Sequence, residues 1–108
     1  MIVVTTDFVP GYRIIEALGI ARGSTIRTKH VGKDIMAGLR AIVGGELKEY
    51  SEMLTETRNE SLKRMTDQAT RLRGDAVVNV RFVTAQVMAG ASELLAYGTV
   101  VRLEKEAG

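Results

Sequence analysis

Apolar residues recur at helical spacing in the middle of the chain, and they predict two helices there. The first is predicted over Lys33 to Val43, where apolar side chains return every three or four positions. Gly44-Gly45 is expected to end it, because glycine enters the left-handed region without a Cβ penalty. The second is predicted over Glu46 to Arg73, with its acids early and its bases late, as the helix dipole favours. Gly74 is its expected C-terminal cap.

Shorter β-branched runs predict strands before these helices. Ile2 to Thr6 predicts a first strand, which Pro10-Gly11 ends. Tyr12 to Ala21 predicts a second strand, whose apolar residues fall on both faces and indicate cover on both sides. After Gly23-Ser24, Thr25 to Thr28 predicts a further short edge strand.

The segment after the helices predicts a hairpin. A strand begins at Ala76, and its apolar residues change face at Phe82 and Val83, which predicts a β-bulge there. A turn is predicted over residues 89–92. The sequence therefore predicts an α+β domain with a short and a long helix. One face of the last strand is predicted to consist of Leu95, Tyr97, Val101 and Leu103.

Few aromatic residues are available for a core. At 108 residues the chain has the length of one domain, taken as residues 1–108. It contains two Phe, three Tyr and no Trp, and a chain of this size buries only about two-thirds of its unfolded surface. Association of subunits adds buried surface, so a homo-oligomer is expected.

Charge and cysteine content exclude several classes of protein. The 15 basic and 13 acidic side chains give a net charge of +2, so no nucleic-acid partner is expected. The chain has no Cys, which excludes disulfides, thiolate catalysis and the commonest structural zinc sites. No apolar run approaches the ~20 residues of a membrane span, so we expect a cytoplasmic protein without a membrane partner. The sequence implies no cofactor.

The predicted order β-α-α-β-β and residues spread over nearly the whole chain resemble the YbjQ-like family. These residues are Asp34, Ala37-Gly38, Arg40, Ile42 to Gly45, Tyr50, Leu54, Arg58, Gln68-Ala69, Leu72 and Asp75 to Val78. The resemblance implies a dodecin-like subunit fold (β-α-β-β), in which a two-layer antiparallel sheet packs against a short and a long helix. It also implies a homopentameric ring, in which short strands join neighbours, and a heavy-metal-binding label. The chain departs from the family at Arg73-Gly74-Asp75, where Gly-Ala-Asp is usual.

Arg58 is the residue at which pattern and polarity conflict most clearly. A helical wheel of the long helix places Arg58 inside an apolar stripe. The stripe comprises Leu47, Ser51, Leu54, Arg58, Ser61, Leu62, Met65, Ala69 and Leu72. A guanidinium stays protonated and is costly to bury unpaired, so a carboxylate or several carbonyls should meet it. A structural ion pair to Asp34, Asp75 or a neighbour's acid is expected, and a ligand-anion site is the alternative.

Other candidate residues support specific chemistry less strongly. His30 is the only histidine, which makes it a weak metal candidate and excludes an ordinary serine or cysteine triad. The glutamates of the long helix, Glu49, Glu52, Glu56 and Glu60, are interpreted as a solvated face, although in a ring they could line a pore and collect cations. Gly44-Gly45 is interpreted as a hinge rather than an anion loop, because no Lys-Ser/Thr follows it.

These observations favour a non-catalytic binder of a small ligand or a metal ion, with a homopentameric ring as its functional unit. The candidate ligand-binding residues are Arg40, Tyr50 and Arg58, and no catalytic residue is predicted. Two alternatives stay open, an enzyme with a subunit-interface site around these residues and an oligomeric interaction scaffold. The environment of Arg58 distinguishes the binder from the enzyme: its guanidinium is either neutralised by protein groups or faces a cavity. The scaffold predicts an exposed apolar patch and no cavity.

Overall fold

The computed structural model describes residues 1–28 and 48–107 and shows an α+β arrangement. In chain order its elements are β1 (Ile2–Val3), β2 (Tyr12–Thr28), α1 (Lys48–Arg71), β3 (Ala76–Met88) and β4 (Ala91–Lys105). The predicted α+β class and long helix are confirmed. The predicted short helix and Gly44-Gly45 lie outside the described residues. Within those residues, no helix combines the length and the apolar character that crossing a membrane requires.

The sheet is mixed, which corrects the prediction of an antiparallel sheet. Its strand order is β1-β3-β4-β2. β4 pairs antiparallel with both β2 and β3, but β1 pairs parallel with β3 through Ile2 opposite Ala76. Apolar alternation indicates a strand without indicating its direction, so the orientation of β1 could not be read from the sequence. β1 and β2 lie at opposite edges, and the chain between them carries Val9 into the core.

The bulge in β3 lies at Asn79, earlier than the predicted position at Phe82–Val83. The register against β4 slips at this point, and Asn79 has a positive φ of 54°, a conformation that Asn tolerates better than most residues. The N-terminal segment accepts the local backbone hydrogen bonds. The Asn79 N–H donates to the Thr6 carbonyl at 2.9 Å, and the Val80 N–H donates to the Val4 carbonyl at 3.0 Å. A segment distant in sequence therefore stabilises the bulge.

β2 is one continuous strand, although the sequence predicted separate strands over Tyr12 to Ala21 and Thr25 to Thr28. Gly23 continues the pairing, opposite Ala96 of β4. The register shifts around Ile15 and again around Leu18. Each extra residue reverses the face of those that follow, which explains the imperfect alternation of apolar side chains in this strand.

The C-terminal end of α1 is a Schellman motif whose left-handed residue is Arg73, not Gly74 as predicted. Arg73 has φ 63°. Its N–H donates to the Thr70 carbonyl at 2.9 Å, and the Gly74 N–H donates to the Ala69 carbonyl at 3.1 Å. Gly74 is needed for another reason, because a Cβ at this position would overlap Cγ1 of Val100. Close packing against β4, rather than backbone conformation, accounts for glycine here.

Both faces of the sheet carry a small apolar core, as the pattern of β2 predicted. On the face that α1 covers, which we call the helix face, the buried residues are Ala21, Met65, Ala69, Val77, Val80, Ala96 and Val100. On the opposite face, which the N-terminal segment partly covers, they are Val9, Ala76, Val78 and Val101. β4 supplies alternate residues to the two cores, as a strand covered on both sides must.

The molecule is elongated. The Cα radius of gyration is 17.6 Å and the principal extents are 58 × 28 × 17 Å, whereas a compact domain of about 100 residues has a radius of gyration of ~13 Å. We call the outer part of the β3–β4 hairpin, residues 81–95, the distal arm. Every β3 residue of this arm, from Arg81 to Met88, is exposed.

Candidate functional site

Among the three predicted ligand-binding residues, the structure describes the side chain of Arg58. Arg40 lies outside the described residues, as does the weak metal candidate His30. Tyr50 belongs to the first turn of α1, and its side chain also lies outside the description. The predicted grouping of Arg40, Tyr50 and Arg58 therefore stays a prediction.

The buried line of α1 confirms Ser61, Met65 and Ala69 of the predicted stripe but contains Thr57 in place of Arg58. Thr57, Ser61, Met65 and Ala69 are buried at intervals of one helical turn, whereas Arg58 is exposed. The prediction that Arg58 lies in the core stripe is thus wrong within the single chain. Thr57, next to Arg58 in the chain, was not part of the predicted stripe. Its hydroxyl is satisfied locally, donating to the Met53 carbonyl at 2.8 Å.

A polar seam joins α1 to the sheet. The Thr25 and Ser61 hydroxyl oxygens are 2.8 Å apart, and the Ser61 hydroxyl donates to the Leu94 carbonyl at 2.9 Å. Nearby, Arg27 Nε donates to the Thr57 hydroxyl at 3.0 Å. In residues 1–28 and 48–107, no buried side-chain nitrogen or oxygen lacks a hydrogen-bond partner. The seam is therefore a satisfied structural network that orients the helix.

The glutamates of α1 that the structure describes form a solvated face, as predicted. Glu52 and Glu56 are exposed. Glu60 pairs with Arg64 at 3.2 Å through a contact between successive turns. Exposed pairs of this kind contribute about 0.3–0.5 kcal/mol each, so this face adds little to stability.

The donor chemistry of the described residues does not suit a heavy metal held by one chain. The chain has no Cys and therefore no thiolate ligand. Across the described ranges, no three His, Asp or Glu side chains come together closely enough to hold a metal ion. A site of this type would need ligands from elsewhere, such as His30 of several chains.

A cavity of about 240 Å³ opens on the opposite face of the sheet. It is lined by Ile20 and Arg22 of β2 and by Leu95 and Tyr97 of β4. Arg22 and Tyr97 are direct partners across the two strands, so their side chains stand side by side on one face. The cavity thus combines an apolar floor with a guanidinium and a phenol, a set of groups that can hold an anion with an apolar body.

A second arginine lies on the other side of Tyr97. Arg81 is the β3 partner of Tyr97 in the register. Its guanidinium donates to the Thr5 and Val80 carbonyls, each at 2.9 Å. The sequence reading missed this row of Arg22, Tyr97 and Arg81, which lie far apart in the chain. Counting back from the predicted turn at 89–92 would have brought Arg81 close to Tyr97, but nothing in the sequence places Arg22 beside them.

Comparison with known proteins agrees with this fold. The family model YbjQ_1, described as "putative heavy-metal-binding", matches residues 1–104. A UPF0145 protein of Methanosarcina acetivorans is 59% identical over 103 residues, covering 95% of this chain and 97% of the relative. A UPF0145 protein of Archaeoglobus fulgidus is 60% identical over 103 residues, covering 95% of each chain.

A crystal structure from Pediococcus pentosaceus, described as a protein with unknown function of the DUF74 family, shares the fold. Its TM-score is 0.61 at 17% identity, with 96% of this chain and 98% of that chain covered. Family model and relatives both extend over almost the whole sequence. The chain therefore belongs to the YbjQ family, as the residues around Asp34 to Tyr50 had indicated.

Proposed function

We propose that this protein is a non-catalytic binder of a small ligand that works as a homo-oligomeric ring of about five subunits, in line with the closed cyclic symmetry common among homo-oligomers. The observation that carries the assembly is the exposure of the distal arm. Phe82 and Val83 are each 44% exposed, and Val87 and Met88 are 48% and 67% exposed. Consecutive residues of a strand point to opposite faces, so both faces of the arm present apolar surface. Contiguous apolar surface of this kind favours association.

The two edges of the sheet differ in a way that supports assembly through β3. At the β2 edge, the Arg22 N–H donates to Gln68 Oε1 at 2.6 Å, and the Arg64 guanidinium donates to the Ser24 carbonyl. Side chains of α1 thus cover this edge, as protected edges of natural sheets are covered. At the β3 edge, β1 pairs only with Ala76 and Val77. Beyond the bulge, the rest of that edge has no partner strand among the described elements.

A second copy of the chain fits this open edge chemically. An unpaired strand presents N–H and C=O groups that another strand can complete, while apolar side chains on both faces bury area. The low aromatic content points the same way, since one chain has few large side chains for its own core.

For the bound species, we favour a small ligand over a heavy metal. The family description names heavy metals, but the absence of Cys removes the ligands that soft metals prefer. A metal site would have to gather His30 from several subunits. The cavity beside Arg22 offers a place for a small organic ligand instead. The cytoplasmic location stays a prediction.

Native mass spectrometry of the full chain, purified without added metal, tests the assembly and any retained ligand together. We expect one species near five subunits, and a clean monomer at micromolar concentration would contradict the assembly. Val83→Glu in the distal arm should shift the spectrum toward monomer, because it places a charge in the buried interface. The control Thr55→Glu, at an exposed position of α1, should leave the ring unchanged.

A further inference from the structure

We propose that Arg22 and Tyr97 form a binding site for a small apolar carboxylate on the face of the sheet away from α1. This site rests on the proposed ligand-binding role and assigns it a place and a ligand class. The carboxylate is received by the Arg22 guanidinium and the Tyr97 hydroxyl. The apolar body of the ligand lies on Ile20 and Leu95.

The strand register of the sheet places the polar groups of the site on one face. Tyr97 of β4 pairs directly with Arg22 of β2 on one side and with Arg81 of β3 on the other. Directly paired residues project to the same face, so the phenol stands between two arginines. Neighbouring strands are about 4.8 Å apart, which puts the two arginine Cα atoms roughly 10 Å from each other. The Arg81 guanidinium is held at the Thr5 and Val80 carbonyls and is not among the groups that line the cavity, so the Arg22 guanidinium and the Tyr97 hydroxyl are the groups that meet the anion.

The volume of the cavity limits the size of the ligand, and its lining indicates that part of the ligand is apolar. Its volume of about 240 Å³ lies just below the ~300–1,000 Å³ of sites for drug-sized ligands. Ile20 is 60% exposed, and Leu95 and Tyr97 are half-buried. A small ring or branched chain covering these side chains would remove apolar surface from water.

The charges on this face favour an anion. Arg81 is held by the Thr5 and Val80 carbonyls through one nitrogen, which fixes its position and leaves further donors, since a guanidinium has five N–H groups. Glu93 is the acid nearest along β4, and its carboxylate accepts from the Ser24 hydroxyl at 2.7 Å. Among the described residues, the ion pairs do not join Glu93 to Arg22 or Arg81. Within the described residues the Arg22 guanidinium is in no ion pair, so its charge is available to an anion.

Isothermal titration calorimetry with two probes of equal shape tests the site on the assembled wild-type protein. The probes are 2-naphthoate and the uncharged 2-naphthalenemethanol. We expect naphthoate to bind at least tenfold more tightly, because its carboxylate makes charge-assisted hydrogen bonds. Arg22→Gln should weaken naphthoate at least fivefold and leave the alcohol unchanged. Tyr97→Phe should weaken naphthoate about threefold through loss of one hydrogen bond.

Arg102→Gln is the matched control, since Arg102 is an exposed arginine of β4 next to Val101 and hence on the other face. It should not change either affinity. The proposal is overturned if wild-type protein does not bind naphthoate, if the alcohol binds equally well, or if Arg102→Gln weakens binding as much as Arg22→Gln. Native mass spectra of the same samples report the ring separately, so a failed site and a failed assembly give different results.

Discussion

The hydroxyl groups of Thr25 on β2 and Ser61 on α1 lie 2.8 Å apart in a buried contact between helix and sheet. Ser61 is fully buried and also donates to the Leu94 carbonyl of β4 at 2.9 Å. It therefore links the helix to two strands at once. Gly23 permits this approach, because a Cβ at that position would overlap the backbone carbonyl oxygen of Ser61.

Ser61→Ala should lower the free energy of unfolding by about 2 kcal/mol, because the Thr25 hydroxyl and the Leu94 carbonyl lose a buried partner. Thr25→Val should cost less, since Ser61 keeps its bond to Leu94. Urea unfolding at one fixed protein concentration measures both. Thr55→Ala removes an exposed hydroxyl of the same helix and should stay within about 0.5 kcal/mol. Equal losses of unfolding free energy for Ser61→Ala and Thr55→Ala would contradict a stabilising role of the polar seam.

Gly23→Ala should destabilise the protein by about 3 kcal/mol, at the upper end of the cost of overpacking. The new methyl group would overlap main-chain atoms of Ser61 and Met65, which cannot move unless the helix shifts. Gly11→Ala is the comparison. Gly11 has open space around it but a φ of 84°, so alanine there should cost only about 1–2 kcal/mol of backbone strain. Thermal melts rank the two variants, and the reverse order would refute the close approach.

Arg58→Ala should change stability by no more than about 0.5 kcal/mol, the usual effect at an exposed position. If Arg58 lay in the core stripe expected from the sequence, Arg58→Ala would lower the free energy of unfolding by about 3 kcal/mol, as breaking a buried ion pair does. Thr57→Val should cost about 1 kcal/mol instead, because Arg27 Nε loses its acceptor. Chemical unfolding with ring-size measurement decides this. A large loss for Arg58→Ala would mean that assembly buries the guanidinium.

Zn(II) and Cd(II) should bind no better than weakly, because the chain has no Cys and a single His. Calorimetry on protein prepared with chelator gives the affinity. A submicromolar site that disappears in His30→Ala would overturn this expectation and show that symmetry gathers His30 from several subunits. His30→Ala without added metal serves as the control for folding.

The sequence by itself determined the α+β class, the long helix, the family and a turn near residues 89–92, which the structure has at 89–90. These depend on local periodicity, capping residues and glycines, which neighbours in the chain are enough to set. The same local reasoning placed the cap at Gly74 and the bulge at Phe82–Val83. In the structure the left-handed cap residue is Arg73, and Gly74 is required by packing against Val100. The bulge lies at Asn79, where pairing with the N-terminal segment stabilises it.

Only the tertiary structure decided which residues meet. The parallel pairing of β1 depends on where the chain crosses the sheet, and no pattern within the strand encodes it. The burial of Thr57 in place of Arg58 depends on how α1 is rotated against the sheet, where Arg27 of β2 donates to the Thr57 hydroxyl. The row of Arg22, Tyr97 and Arg81 exists because two register shifts in β2 and one at Asn79 align three distant segments. Register is a property of paired strands, so the candidate site emerges only once the sheet has formed.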